Sequence, residues 1–425
     1  MALTKLTTNL ISGDIVTSVN GSSGAVTLET GTDWQTAIQT SNFTAVASKG
    51  YFVNTTSAEI TVTLPVGVVG TEIVIQDYAG TFATNKVILA ANGSEKIQGV
   101  TIGGQITTNN ATTTLIYQDS TKGWNAQDVS LIPQDFSGLS YLVVAGGGGG
   151  GGGTGSTGGG GGGAGGFRTN YLGTTLTLNR GVNYTVTVGA GGAGGPGSYP
   201  TGYGANGTDS IFYNITSTKG GGGSAYSSGT AGAGGSGGGG AYNSSGSPVS
   251  AKGAGNTPST TPFQGNAGGI GFSSHPNYSG GGGGGSAFVG NGGSGSTGGN
   301  GGNGLSNSIT GSAVAYAGGG GGTGYAYPSP GTPGIGGSGG GATANAYGST
   351  GTVSNATPNT GGGGGANGAT YSNGGGGSGI VILRYSSTKS LSLTAGSLST
   401  GVLNASAGSD KYTTFTGGTG TITFS

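Results

Sequence analysis

The residues of this chain that could perform chemistry are few and far apart. Between Asp135 and Asp410 the only acidic residue is Asp209, and His275 is the only histidine in the sequence. Glycoside hydrolysis needs two carboxyl groups flanking one bond, and a catalytic triad needs an acid beside its histidine. Metal ligation needs several histidine, cysteine or carboxylate side chains together. We therefore predict no enzymatic activity, no metal and no cofactor.

Tyrosine recurs in short polar segments and indicates binding by contact instead. These segments combine tyrosine with serine, asparagine and proline, as in 196–203, 272–278 and 325–330. Tyrosine supplies rigid contact area at low entropic cost, and serine and asparagine supply adaptable hydrogen bonds. The candidate binding residues are Tyr199, Tyr203, Tyr226, Tyr242, His275, Tyr278, Tyr325, Tyr327, Tyr347 and Tyr371. The alternative for any single tyrosine is that its ring covers the glycine-rich part and shields it.

Glycine runs separate these segments and dominate the composition. The chain has 109 Gly among 425 residues and only 6% charged residues, against about 7% and about 25% in ordinary globular proteins. Gly/Ser-rich segments are often flexible linkers, but disordered segments have few aromatic residues, and this chain has 19 Tyr and 11 Phe. The pure runs are 146–153, 158–163, 220–223, 237–240, 280–285, 318–322, 361–365 and 374–377.

A folded glycine run requires backbone hydrogen bonds to other segments. Glycine buries no side chain and loses more backbone entropy on folding than any other residue. The extended helix with three residues per turn has no internal hydrogen bonds, so neighbouring helices can satisfy its N–H and C=O groups. The runs lack collagen's glycine at every third position. We therefore predict a bundle of polyglycine II-type helices whose runs have neighbours on several sides.

Short strands are predicted on both sides of the glycine runs. Alternation at 60–64 and 72–76, followed by apolar pieces at 87–89, 100–102 and 115–117, predicts a compact all-β module. Apolar strands at 141–145 and 379–385 bracket the glycine runs and are predicted to close that domain. Further strands are predicted at 185–188 and 210–213, and hairpins around Asn20-Gly21 and over 412–424.

These patterns predict an all-β protein with irregular structure and essentially no α-helix. Its expected parts are an N-terminal assembly or attachment segment (1–30), a β module (31–136), a glycine-rich domain with Tyr/Ser/Pro loops (137–386) and a C-terminal β segment (387–425). The net charge of zero argues against a nucleic-acid partner. The chain lacks a signal-peptide core and an apolar stretch of about 18 residues, so we expect synthesis in a cytoplasm without membrane insertion.

Three stretches resemble phage tail-fibre proteins. The sequence from Val19 to Leu28 is similar to a VNGxxGxVxL element of those proteins, and 51–65 with Ile97 and Trp124 resembles a β module of marine phage and cyanophage fibres. The stretch 141–385 is similar to the glycine-rich domain of such fibres. Its layout of runs and loops also resembles the tip adhesins of T-even-like phages, in which polyglycine helices present receptor-binding loops.

The resemblance implies a virion tail fibre, made in the host cytoplasm and commonly homotrimeric. It implies contacts with other tail and fibre proteins, and binding of a host surface glycan or outer-membrane protein through the tyrosine-bearing loops. The alternative is a purely structural fibre or shell component whose loops only pack against neighbours. An ice-binding bundle would need a flat, regularly spaced Thr/Ala face, and a depolymerase would need carboxylates from the N-terminal part; both fit the sequence less well.

Overall fold

The computed structural model describes 32–99, 101, 103–126, 131–133, 135–152, 158–180, 182–197, 202–225, 229–242, 251–326, 328–349, 351, 353–368 and 372–425. Across these residues there is no α-helix, and the regular elements are β-strands, which confirms the all-β prediction. Within the same ranges, no helix of membrane-spanning length and apolarity occurs. The predicted segment 1–30 with its Asn20-Gly21 hairpin, and the ends of the predicted strand 100–102, lie outside the described residues.

The chain forms two compact units, Met1–Asp135 and Phe136–Ser425. The described strands of unit 1 are β1 (Asp33–Trp34), β2 (Phe43–Thr44), β3 (Lys49–Val53), β4 (Ile60–Thr63), β5 (Glu72–Asp77), β6 (Val87–Ala90), β7 (Gly104–Ile106), β8 (Thr112–Tyr117), β9 (Trp124–Ala126) and β10 (Leu131–Pro133). They form two sheets, β1-β3-β5-β8-β9 and β10-β7-β6-β4-β2.

Unit 1 is a small two-sheet module with one apolar core. Its first six strands alternate between the two sheets, and neighbouring strands among them run parallel. The predicted alternation is confirmed in β4, where Ile60 and Val62 are buried in the core with Leu115 and Trp124. The turn after β5 depends on Asp77, whose carboxylate accepts hydrogen bonds from five backbone N–H groups.

Unit 2 combines short strands with extended glycine segments. Its described strands are β11 (Asp135–Val144), β12 (Phe167–Thr169), β13 (Leu176–Asn179), β14 (Tyr184–Thr187), β15 (Ser210–Phe212), β16 (Ile215–Ser217), β17 (Phe272–Ser274), β18 (Asn277–Ser279), β19 (Leu305–Asn307), β20 (Val314–Tyr316), β21 (Gly324–Ala326), β22 (Ser329–Pro330), β23 (Ile380–Ser386), β24 (Leu391–Gly396), β25 (Ser399–Thr400), β26 (Ala405–Ala407), β27 (Asp410–Gly417) and β28 (Thr419–Phe424).

Two larger sheets cover one end of the glycine segments. The central sheet has the order β12-β11-β23-β27-β25, with β13 beside β11 and β26 beside β27, and the outer sheet has the order β16-β15-β14-β28-β24. The predicted pairing of the bracketing strands is confirmed, because β11 and β23 are antiparallel with Val144 opposite Ile380. One face of this pair packs on the outer sheet, and the other packs on Ala164 and Tyr316. Burial on both faces explains their continuous apolar sequence.

The predicted hairpin over 412–424 is wrong. β27 pairs with β23 in the central sheet, whereas β28 pairs with β14 and β24 in the outer sheet. Gly418, at a φ of 83°, makes the turn between them, a conformation that glycine adopts without the Cβ penalty of other residues. The segment 387–425 therefore completes both sheets of unit 2 instead of folding back on itself.

The glycine segments form a hydrogen-bonded bundle with a period of three residues. Gly146, Gly149 and Gly152 all donate their N–H groups to 202–208, while the residues between them donate to 374–377 and 160–163. Carbonyl oxygens of the same segment accept from 192–195, 220–223 and Gly364. The segment 145–152 thus has six neighbouring segments, and 159–166 has six as well. Three directions per turn are typical of the extended helix predicted for these runs.

Close packing explains why the central runs contain only small residues. A methyl group added at Gly148 would lie 2.2 Å from the carbonyl oxygen of Gly221, and one at Gly149 would lie 2.0 Å from that of Ala193. These distances are far below van der Waals contact, so a larger residue would push neighbouring segments apart. Uninterrupted glycine is therefore a consequence of having neighbours on every side.

Asparagine side chains replace a missing neighbour where the bundle ends laterally. Asn300 Oδ1 accepts the N–H of Ile335 at 2.8 Å, and Asn303 Oδ1 accepts that of Ser338 at 3.0 Å. Asn355 does the same for Gly375 at 2.8 Å. In the centre of the bundle such a donor would meet the backbone carbonyl of another segment. The amide oxygen thus satisfies an edge donor that would otherwise need water.

Candidate functional site

The candidate site lies at the end of the bundle opposite the central sheet. The segment 145–152 starts from β11 and ends at Gly152, which donates to Gly202 and forms a bridge with Asn367. The chain returns through Gly158 and Gly159, next to Thr323. We call this region the loop end. Successive segments of the bundle run in opposite directions, as 145–152 and 159–166 do. Every second connection between segments therefore lies at the loop end.

A short sheet at the loop end positions two of the candidate tyrosines. It has the order β17-β18-β21-β22. β18 and β21 are antiparallel with Tyr278 directly opposite Tyr325, so their rings lie on the same face. His275 lies in the turn between β17 and β18. The backbone N–H of Tyr347 donates to the carbonyl oxygen of Gly324 in β21 at 3.2 Å, so the segment that contains Tyr347 lies next to this sheet.

Four tyrosines form a continuous aromatic stack there. The ring centroids of Tyr242 and Tyr278 are 4.9 Å apart with planes at 19°, and those of Tyr278 and Tyr325 are 5.9 Å apart at 15°. Tyr347 continues the stack at 4.2 Å from Tyr325 with a tilt of 56°. The ring of His275 stands edge-on to Tyr278 at 6.4 Å. Five of the ten candidate residues are thus neighbours in space, although the sequence from Tyr242 to Tyr347 spans more than 100 positions.

The sequence of the glycine-rich part matches a known family. A family model described as a glycine-rich domain matches residues 120–386. The chain belongs to this family. No curated protein matches it. The matched residues include both bracketing strands and every glycine run, so the glycine-rich domain contains the whole loop end.

Three of the candidate tyrosines in the glycine-rich domain are buried, contrary to the expectation that they are exposed. Tyr242, Tyr278 and Tyr325 are 0%, 7% and 2% exposed, so the expectation that they stand on exposed loops is wrong. The ring of Tyr242 lies against the backbone of Gly158, where an added Cβ would be 2.5 Å from its Cε1 atom. Because a glycine segment has no side chains that would keep a ring at a distance, the face of Tyr242 lies directly on its backbone. For these three residues, the shielding interpretation describes the geometry.

Other candidates in the glycine-rich domain reach solvent. His275 is exposed and Tyr347 is half-buried. Tyr203 is 37% exposed, and its ring lies beside Gly229. Tyr199, Tyr226, Tyr327 and Tyr371 lie outside the described residues. Receptor binding by any of the ten residues stays a prediction.

The loop end has a neutral, aromatic and amide-rich chemistry. From Gly253 to Leu383 the sequence contains no Asp, Glu, Lys or Arg. Among the described residues, no group of three or more His, Asp or Glu side chains could hold a metal. Away from the loop end, burial raises the pKa values of Tyr141, Tyr184 and Tyr316, and it raises the pKa of Tyr385 to about 12. Within 253–383 this end offers rings and hydrogen-bonding groups without fixed charge, and the exposed Lys252 lies directly before that stretch.

The edge asparagines of the glycine-rich domain were missed at the sequence level. Asn300 and Asn303 lie in the repeat Gly-Gly-Asn-Gly-Gly-Asn over 298–303. In a helix with three residues per turn, such a repeat places every asparagine on one side. A search for three-residue spacing inside the glycine-rich segments would have found this edge.

Proposed function

We propose that this protein is a phage tail-fibre adhesin that recognises a host-cell surface receptor through the loop end of its glycine-rich domain. The observation that supports this most is the convergence of the tyrosine-bearing segments at one end of the bundle. The opposite end is covered by the central and outer sheets, so of the two ends only the loop end is available to a partner. Resemblance of the sequence to tail fibres supplies the biological setting.

The bundle is suited to presenting loops. Each central segment is hydrogen bonded to six neighbours, so the positions from which the loops start are fixed before a partner arrives. Preorganisation reduces the entropic cost of binding. The stack of Tyr242, Tyr278, Tyr325 and Tyr347 gives the loops a common base. His275 reaches solvent next to Tyr278, and Tyr203 reaches solvent next to Gly229. We infer that these exposed rings make the contacts and that the buried rings position them.

The proposed receptor is a host surface glycan or an outer-membrane protein. Rings and neutral hydrogen-bonding groups bind with weak salt dependence, unlike a charged interface. We further propose a virion location after synthesis in the host cytoplasm, a homotrimeric fibre, and contacts with other tail and fibre proteins. These parts of the proposal come from the resemblance to phage fibres.

A purely structural fibre or shell component is the second candidate function. The burial of Tyr242, Tyr278 and Tyr325 favours it, because rings that only fill the end of a bundle need no receptor. The two candidates differ in what the exposed residues do. In the structural alternative, the purified protein binds no host cell, with or without the rings of Tyr203 and His275.

The test is the binding of the purified, fluorescently labelled full-length protein to a panel of cultured cyanobacterial strains, measured by flow cytometry. The Tyr203→Ser, His275→Ala double variant should lose at least several-fold in binding to any strain that the wild type binds. Phe263→Ser is the matched control, since Phe263 is 74% exposed but adjoins Gln264, which accepts a bond from Phe167 of β12 at the sheet end.

Each outcome of this test has a defined meaning. Loss of binding in the double variant but not in Phe263→Ser supports the adhesin, and binding should change little between low and high sodium chloride. Equal binding of wild type and double variant contradicts a contact surface formed by Tyr203 and His275. Steep loss of binding at modest salt contradicts a neutral contact surface, and absence of binding to every strain contradicts the proposal for this class of host.

A further inference from the structure

A groove runs along the flank of the glycine bundle, apart from the loop end. The segments 288–292, 299–303 and 334–337 form it, and its cavity volume is about 490 Å³. It is lined by Phe288, Val289, Asn291, Asn300, Asn303 and Ile335, with glycine backbone between them. This volume lies within the range of small-molecule sites, about 300–1,000 Å³. We call it the flank groove.

Two of the three asparagines that line the flank groove, Asn300 and Asn303, are held in one orientation. The Oδ1 atoms of Asn300 and Asn303 accept the N–H groups of Ile335 and Ser338. Each planar amide is therefore fixed by its oxygen, and its Nδ2 group remains available to donate. Three residues separate the two asparagines, so their amides repeat after one turn, about 9 Å along the segment. A fixed row of donors fits a ligand with regularly spaced acceptors.

Apolar side chains stand beside these donors. Phe288, Ile335 and Val289 are 64%, 62% and 53% exposed, so three large apolar side chains with exposed surface line the same groove. Glycines 301, 302 and 336 between them carry no side chain, so a ligand can reach the backbone. The lining thus combines an aromatic face, apolar edges and amide donors.

We propose that the flank groove binds a segment of a neutral polysaccharide. Sugar rings present apolar C–H faces to an aromatic side chain and hydroxyl oxygens to amide donors. The lining contains no charged residue, so a charged glycan would lose solvent without gaining a counter-charge, which is costly. The repeat of Asn300 and Asn303 matches a polymer better than a single sugar. This inference does not depend on the adhesin proposal, because it concerns a different surface and a purified ligand.

The test is binding of the full-length protein to four neutral hexasaccharides, from cellulose, starch, mannan and chitin, with hyaluronan hexasaccharide as the charged comparison. Saturation-transfer NMR and titration calorimetry should detect at least one neutral ligand and no hyaluronan binding. Asn300→Asp keeps the oxygen that accepts the N–H of Ile335 but removes the amide donor. It should weaken binding on the order of tenfold, as should Phe288→Ala.

Asn355→Asp is the matched control, because Asn355 makes the same edge bond to Gly375 outside the groove. It should bind as the wild type does, and all variants should show wild-type circular dichroism. The proposal is overturned if no neutral hexasaccharide binds, if hyaluronan binds equally well, or if Asn300→Asp and Phe288→Ala bind like the control. It is also overturned if Phe288→Ala dissociates an oligomer in sedimentation equilibrium, since the groove would then be a contact between copies.

Discussion

Substitution of one central glycine by alanine tests the packing of the bundle directly. We choose Gly161, which lies in the segment 159–166 with its six neighbours. A Cβ at this position would lie 2.1 Å from the carbonyl oxygen of Gly320 and 2.5 Å from its carbon. Favourable separations are about 3.5–4.0 Å. The segment containing Gly320 must therefore move by more than one ångström to accept the methyl group.

The expected loss of stability follows from three contributions. Overpacking in a dense interior costs about 1–3 kcal/mol. Moving the segment weakens the bond from Gly320 N–H to Gly162, now 2.8 Å, and each lost hydrogen bond costs about 1 kcal/mol. Alanine returns about 0.4–1 kcal/mol by restricting the unfolded chain. We therefore expect Gly161→Ala to lose about 1–4 kcal/mol of unfolding free energy, which corresponds to about 2–8 °C in the melting temperature of unit 2.

Gly292→Ala is the matched control on a bundle segment. Its nearest heavy atom to an added Cβ is Ile270 Cγ1 at 3.4 Å, an ordinary contact. This variant should match the wild type or gain up to about 1 kcal/mol. Scanning calorimetry measures both variants, while tryptophan fluorescence monitors unit 1 separately because Trp34 and Trp124 both belong to it. Equal melting temperatures of Gly161→Ala and Gly292→Ala would refute the packing argument.

Three further predictions concern the bundle, unit 1 and pH. The backbone amides of 146–152 and 160–166 should exchange slowly with deuterium, as measured by mass spectrometry, because their N–H groups donate to neighbouring segments. Asp77→Ala should destabilise unit 1 by about 3 kcal/mol in urea unfolding followed by tryptophan fluorescence, because five amides lose their acceptor. Burial raises the pKa of Tyr385 from 10.0 to about 12, so its stabilisation of unit 2 should be full below pH 10 and lost from there to about pH 12, as measured by calorimetry.

Each of these has a result that contradicts it. Rapid exchange throughout 146–379 would rule out a hydrogen-bonded bundle. Asp77→Asn keeps one oxygen and should lose less stability than Asp77→Ala, so equal losses would argue against the hydrogen bonds. In the folded state Tyr385 keeps its proton while the unfolded chain releases it, and Tyr385→Phe should flatten the alkaline fall in stability. An unchanged pH dependence in that variant would refute the assignment.

Local sequence patterns predicted the strands that bury a well-defined apolar face. The alternation in β4 and the apolar runs of β11 and β23 each follow from which faces are buried. The hairpin over 412–424 failed because a Gly-Gly turn between two apolar pieces permits two outcomes. The strands can pair with each other or join different sheets. That choice depends on whether distant strands such as β14 and β23 offer free edges, which the local sequence does not contain.

The candidate site was predictable in its residues but not in their exposure. The recurrence of tyrosine beside serine and proline identified Tyr242, Tyr278, Tyr325 and Tyr347, which the fold brings into one stack. Three of them are buried, because the ring of Tyr242 lies directly on the backbone of Gly158 and those of Tyr278 and Tyr325 stack on it in turn. The composition of a loop cannot show which surface its rings will meet.

The amino-acid sequence alone determined that the glycine runs become extended helices with hydrogen bonds to one another. Without Cβ atoms, each run can form only backbone contacts, and three directions per turn satisfy them. The tertiary structure decided which segments are central and which are edges. A central segment such as 145–152 has backbone hydrogen-bond partners on every side. At the flank, the side-chain oxygens of Asn300 and Asn303 accept the N–H groups that have no such backbone partner. The number of segments that surround a given segment depends on the arrangement of the whole bundle. Only the assembled fold could therefore show which tyrosines lie buried and which asparagines face a groove.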